Sequence, residues 1–254
     1  MPKARTPSPT RARPKAAGRA AGGRGPSSRA ARRRGVRTPW WRRSGVVVAG
    51  IVLAISTGIG IQALRSASGG AVVRPPFAAA DGAVTRGAST AKVSVVEYGD
   101  FQCPHCGEFQ RTVGSTIDRL VADGTIRFGY VPMAFLGPES ELASNAAYCA
   151  GAQGRFWPYH DELFANQAAE NSGALTTSSL TAFGATAGVT GGAFDRCVES
   201  KTYVPFVERI TTLASQRGIT STPTVLIDGT PAPASAYSSA AGFIAAIRAA
   251  GANA

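Results

Sequence analysis

Histidine is scarce in this chain, cysteine is rationed, and acid is missing from one end. Only two histidines, His105 and His160, and four cysteines occur in 254 residues. There is a single C-x-x-C pair, so the paired knuckles of a structural zinc site are lacking and no metal is expected. Residues 1–44 hold 14 Lys plus Arg and neither Asp nor Glu. Residues 45–254 hold 13 Lys plus Arg against 15 Asp plus Glu, a net charge of −2. The formal +12 therefore belongs to the tail alone, and it is poor ground for a nucleic-acid-binding domain. The tail also lacks aromatics before Trp40 and Trp41. Such a segment cannot bury enough apolar surface to offset its ordering entropy, so 1–44 is expected to be a disordered cytoplasmic tail.

Charge is absent from the 20 residues 45–64, GVVVAGIVLAISTGIGIQAL. That length matches a membrane-spanning helix. Arg42 and Arg43 flank it, and Trp40 and Trp41 suit a membrane interface. The positive-inside bias places the N-terminus in the cytoplasm and the rest of the chain outside. An uncleaved single-pass anchor is the favoured reading. The alternatives are a cleaved signal peptide with Ser66-Ala67-Ser68 as its site, or twin-arginine export through Arg42-Arg43. All put the cysteines in a compartment that permits disulfides. Residues 65–83, with Gly69-Gly70 and Pro75-Pro76, read as a linker. The remainder, 84–254, is long enough for one domain with a sizeable core, and no internal repeat is evident.

Within that domain the decisive residues are Cys103-Pro104-His105-Cys106. They follow a strand-like run, 93–98, and precede a helix predicted over 107–122. Phe109, Val113, Ile117, Leu120 and Val121 line one face of that helix. A C-x-x-C pair at a strand-to-helix junction places its first thiol at a helix N-terminus, where free N–H groups and the helix dipole favour a thiolate. The second thiol lies one turn further on, within reach of a disulfide. That is dithiol redox chemistry.

A second strand is expected over 125–131. A helical block follows, with helices near 138–150, 156–165, 178–187 and 203–218. A strand over 223–227, a hairpin turn at Asp228-Gly229 and a helix over 243–250 complete the pattern. This is an α/β arrangement, a mixed sheet with a helical insertion over about 138–217.

At this point the chain resembles the DsbA-like branch of the thioredoxin superfamily. The matching residues are Val96-Glu97-Tyr98-Gly99-Asp100-Phe101-Gln102-Cys103-Pro104-His105-Cys106 and Tyr148-Cys149-Ala150. Further matches are Gly154-Arg155-Phe156-Trp157 with His160 and Leu163-Phe164, and Gly218-Ile219-Thr220-Ser221-Thr222-Pro223-Thr224. Together they span about 84–250. The resemblance implies a thioredoxin fold with a helical domain between its halves, acting on the thiols of exported proteins. It implies Cys103 as a solvent-facing nucleophile and Cys106 as the buried resolving thiol. His105, beside Pro104, would stabilise the Cys103 thiolate and make the disulfide oxidising. Glu97 would be a buried acid serving Cys106, and Pro223 a cis-proline that lets Thr222 pair with an extended substrate.

The resemblance further implies an extracytoplasmic monomer with no cofactor of its own, acting on exported, cysteine-containing proteins and recycled by a quinone-linked membrane reoxidase. Two alternatives stay open. One is an isomerase or reductase kept reduced by a membrane electron donor, a reading that Thr222 permits. The other is a non-catalytic chaperone or assembly factor. Cys149 and Cys197 read as a structural bridge between insertion helices, with a second redox pair or metal ligation as alternatives. His160, Trp157, Phe164 and Phe183 read as packing residues.

Overall fold

The computed structural model describes residues 72–251, all within the unit Arg65–Ala254. The expected tail, 1–44, and span, 45–64, lie outside the described residues. Among the described residues no helix is long and apolar enough to cross a membrane.

The centre of the fold is strand β2, Val93–Gly99, rich in β-branched residues that suit a pleated surface. It pairs in parallel with β3, Ile126–Pro132, and antiparallel with β4, Thr224–Ile227. Two short strands complete the sheet, β1, Val84–Arg86, beside β3 and β5, Thr230–Pro231, beside β4. The spatial order is β1-β3-β2-β4-β5. Asp228 and Gly229 both take positive φ, 48° and 79°, as the tight turn between β4 and β5 requires.

Helix α1, Pro104–Ala122, links β2 to β3. It starts three residues before the predicted position because Pro104 occupies the first turn, where its fixed φ and missing N–H fit. Cys106, Phe109, Val113 and Ile117 form its buried stripe against the sheet. The insertion holds α2, Pro138–Gly151; α3, Phe156–Ala165; α4, Thr177–Thr186; α5, Gly192–Glu199; and α6, Val204–Gln216. Helix α2 is its axis: Ala143, Ala146, Ala147 and Ala150 are buried, and their small side chains let the neighbouring helices approach. The chain closes with α7, Ser235–Ser238, and α8, Ala240–Gly251.

Three elements depart from the sequence reading. Helix α5 and the short pieces β1 and α7 were not anticipated; none is long enough to establish a clear period. The expected linker, 65–83, is packed at its far end. Ala78 is buried, the Phe77 and Tyr148 rings lie 6.5 Å apart, and the Tyr148 hydroxyl donates to the Gly82 carbonyl at 2.7 Å. Proline and glycine content suggested a spacer there; in fact the positive φ of Gly82, 93°, brings the backbone against Tyr148 and Ile210.

Candidate active site

Cys103 is the N-cap of α1, with an extended backbone, φ −68° and ψ 118°. The loop leading to it is fixed by buried polar groups. One oxygen of Asp100 accepts from the Gln102 N–H at 2.9 Å and the Ser140 hydroxyl at 2.7 Å. The other accepts from the N–H groups of Phe135 and Leu136, at 2.9 and 3.2 Å. Gln102 donates to Ser140 and accepts from the Asn171 N–H, both at 2.7 Å. Gln167 donates to the carbonyls of Phe101 and Cys103, at 3.0 and 2.9 Å. Residues of the insertion thereby hold the redox loop from behind. Sequence reasoning named Asp100 and Gln102 as matching residues without giving them a role, and passed over Gln167. Two polar residues flanking Phe101 just before the C-x-x-C pair were the available signal.

Both thiols are free; Cys106 is fully buried, as expected, and Cys103, 6% exposed, is more enclosed than expected. Cys103, expected to face solvent, is instead roofed by the segment that carries the cis Thr222–Pro223 peptide. Its Sγ donates to the Thr222 carbonyl at 3.3 Å. The proton affinities of the two sulfurs diverge. Hydrogen bonding from the Cys106 thiol, then from the Thr222 side chain and the backbone N–H groups of Cys106 and His105, lowers the Cys103 pKa to about 5 against the opposing effect of burial. Burial, reinforced by the neighbouring Cys103 and Glu97, pushes the Cys106 thiol up.

His105 does not have the expected place. Its ring is 81% exposed, with Nδ1 3.8 Å from the Glu108 carboxylate. Only its backbone N–H is among the groups that favour the Cys103 thiolate. The helix start directs the peptide group of residue 105 at the sulfur and its side chain outward.

Glu97 is fully buried in the middle of β2, between Tyr130 of β3 and Val225 of β4. Gln110 donates to its Oε2 at 2.7 Å, while Oε1 has no protein partner. Burial raises its proton affinity well above the carboxylate norm, and the Gln110 bond opposes that. Glu97 and Cys106 therefore both favour the protonated state, side by side.

Opposite this pair, His105, Glu108, Phe109, Thr222, Pro223, Tyr237 and Ser238 line a groove of about 350 Å³. Tyr237 braces it by accepting the Val225 N–H at 2.8 Å. Cys149 on α2 and Cys197 on α5 are joined by a disulfide, S–S 2.04 Å. His160 lies outside the site. It is 1% exposed, packed among Phe101, Tyr130, Phe156, Trp157 and Phe164, with Nδ1 2.8 Å from Asp161. No cluster of three metal-ligating side chains exists among the described residues.

A free-thiol pair at a helix start, a buried acid beneath it and a cis-proline facing it can do thiol–disulfide exchange. The structure is similar to oxidised BdbD from Bacillus subtilis, with TM-score 0.62 and 23% identity, covering 69% of this chain and 96% of that one. It is also similar to oxidised DsbA from Mycobacterium tuberculosis, with TM-score 0.57 and 31% identity, covering 66% and 92%. A stretch of 85 residues is 44% identical to part of the Na(+)/H(+) antiporter NhaA 1 from Salinispora arenicola (strain CNS-205). That match takes in 32% of this chain but only 12% of the antiporter's length. A thioredoxin family model matches residues 79–246, so the chain belongs to the thioredoxin family, on its DsbA-like branch.

Proposed function

We propose that the protein is an extracytoplasmic thiol–disulfide oxidoreductase that donates the Cys103–Cys106 disulfide to exported, cysteine-containing proteins. The observation that carries this reading is the divergence of the two sulfurs. Cys103 favours the thiolate, and Cys106 and Glu97 beneath it favour the proton. A stabilised thiolate stabilises the reduced protein and so makes its disulfide a strong oxidant.

The steps follow from those preferences. A substrate thiolate attacks the Cys103 sulfur of the disulfide. The Cys103–Cys106 bond breaks, a substrate–Cys103 bond forms, and Cys106 leaves as a thiolate. Glu97 supplies its proton. A second substrate thiolate then attacks the substrate sulfur of the mixed disulfide, and Cys103 leaves as the favoured thiolate. The substrate has lost two electrons and the protein has gained them. The groove beside Pro223 offers the Thr222 backbone to an extended substrate segment, in strand-addition fashion. Reoxidation falls to a quinone-linked membrane partner. The span 45–64 would hold the catalytic unit at the membrane where that partner works, with no cofactor in the protein itself and a single copy sufficing.

The test is the reduction potential of the Cys103–Cys106 pair, measured by equilibration with glutathione buffers. A value near about −120 mV is expected of a disulfide donor. A value near about −270 mV would replace this reading with a reductase fed by an electron donor.

A further inference from the structure

A polar well opens on the flank of α1 opposite the groove beside Pro223. Its volume is about 270 Å³, and α1, α3 and Arg86 of β1 wall it. Arg86, Arg111, Asp118, His160 and Asp161 are its titratable or charged lining groups; one contact crosses between walls and one stays within α3. Arg86 bonds Asp118 at 2.7 Å, and His160 bonds Asp161 at 2.8 Å. Gly107 and Gly114 contribute bare helix backbone to its lining. The buried Nε2 of His160, which also lines the well, has no protein partner.

Gln110 stands between this well and Glu97. It lines the well and donates to the Glu97 carboxylate at 2.7 Å. Its own amide oxygen lies over Gly114, 3.4 Å from where a Cβ would be. Glu97 has other charged or titratable neighbours. Cys103 and Cys106 act on it from the start of α1, and Arg86 from β1. Tyr130 faces it from β3 and Tyr237 from α7. Of these elements only α1 supplies a side-chain hydrogen bond to the carboxylate, through Gln110.

A carboxyl that gives its proton to Cys106 must recover one from water. The groove side is covered at that moment, because a substrate is bonded to Cys103 and laid along Pro223. We propose that Gln110 is the positioning residue of Glu97, and that the well behind it is the route by which the Glu97 proton exchanges with water during the reaction. An amide cannot carry the proton. It separates the fully buried carboxylate from the well, favours its ionised form, and yields when the proton returns. The inference rests on Glu97 being the proton partner of Cys106.

The test is the resolution of a Cys103–glutathione mixed disulfide by Cys106, followed against pH in the full-length protein. The Cys106 sulfur attacks Cys103, glutathione leaves as the thiolate, and Glu97 takes the Cys106 proton. The rate should climb with pH as Glu97 ionises. Gln110→Leu removes the donor, so the climb moves to higher pH and the rate below it falls by about tenfold, the scale of one lost hydrogen bond to a charged acceptor. Gln110→Lys puts a cation there and moves the climb to lower pH. A merely structural role would move both variants in the same sense.

Gly114→Leu, or Ser115→Leu if the first does not fold, fills the well and slows the step severalfold at neutral pH. An unchanged rate in the folded variant overturns the access route. A Gln110→Leu profile identical to wild type, with the climb lost in Glu97→Gln, overturns the role of Gln110 and leaves that of Glu97 standing. A climb that survives Glu97→Gln removes both.

Discussion

The sulfur of Cys103 and the carbonyl of Thr222 meet at 3.3 Å across 119 residues of sequence. One belongs to the start of α1 and the other to the segment entering β4, so the whole helical insertion lies between them in sequence. The sheet makes the meeting possible. β2 pairs with β4 from Val95–Ile227 to Tyr98–Thr224, which delivers both chain segments to the same end of the sheet. The proposed nucleophile and the backbone that would present a substrate to it are thus positioned by one pair of strands.

The thiolate prediction follows from that corner. In the reduced protein Cys103 should ionise with a midpoint near 5, readable in the ultraviolet absorbance of the thiolate. The folded pKa is depressed below that of the unfolded thiol, about 8.5. This contribution to the stability of the reduced form is therefore complete above the unfolded value and lost as pH falls toward 5. Cys106→Ala, which deletes the leading donor, should raise the midpoint clearly. His105→Ala should move it less, because the ring is turned to solvent. A larger effect of His105→Ala would contradict this assignment.

Asp100 anchors the redox loop through four hydrogen bonds accepted by its two oxygens. Asp100→Asn would place an NH₂ group against N–H and O–H donors. Leaving buried partners unmatched costs about 1–3 kcal/mol each. Urea unfolding should show a loss of at least about 2 kcal/mol, with slower thiol exchange in the surviving fold. Unchanged stability would show that the network is dispensable.

His160 should leave a pH signature on stability. Burial lowers its proton affinity, partly offset by Asp161. The unfolded imidazole, with a pKa near about 6.5, takes up a proton before the folded one does. Stability conferred by the neutral ring is therefore lost as pH drops through that range. Relative to His160→Gln, the wild type should lose stability between about pH 7.5 and 5. Parallel stability curves for the two proteins would rule this out.

Cys197→Ser should lower the melting temperature and leave substrate oxidation nearly intact. The bond joins residues 48 apart in sequence, and the chain-entropy estimate for such a loop is roughly 4 kcal/mol. Calorimetry and an exchange assay on the same preparation separate the two effects. Activity lost in a still-folded variant would make the pair part of the chemistry.

Much of the fold was legible because its signals are local. The β-branched runs at 93–98 and 223–227, the stripe through Phe109, Val113 and Ile117, and the Asp228-Gly229 turn each state their element over a few residues. Helix α5 was not legible, since eight residues give little more than two turns of period. The packing of 75–83 was hidden as well, because it depends on Tyr148 and Ile210, far away in sequence. In the site, residue types were readable but directions were not. The sequence places a histidine next to Cys103; only the backbone path of α1 turns its ring outward. Gln110 gave no sequence signal, because its meaning lies in a contact with a strand 13 residues earlier.

The Cys149–Cys197 bond has a further implication. A protein proposed to oxidise the thiols of others carries, in its own insertion, a bond of the same kind. Each new copy therefore begins as a client. Its maturation would be served by copies already present, bridged or not, so the bridged and thermally more stable fraction would form faster as the number of copies rises. Pulse-labelled chains trapped with an alkylating agent would show the Cys149–Cys197 bond closing more slowly early in induction than late, and equally slowly at both times in the Cys103→Ser protein.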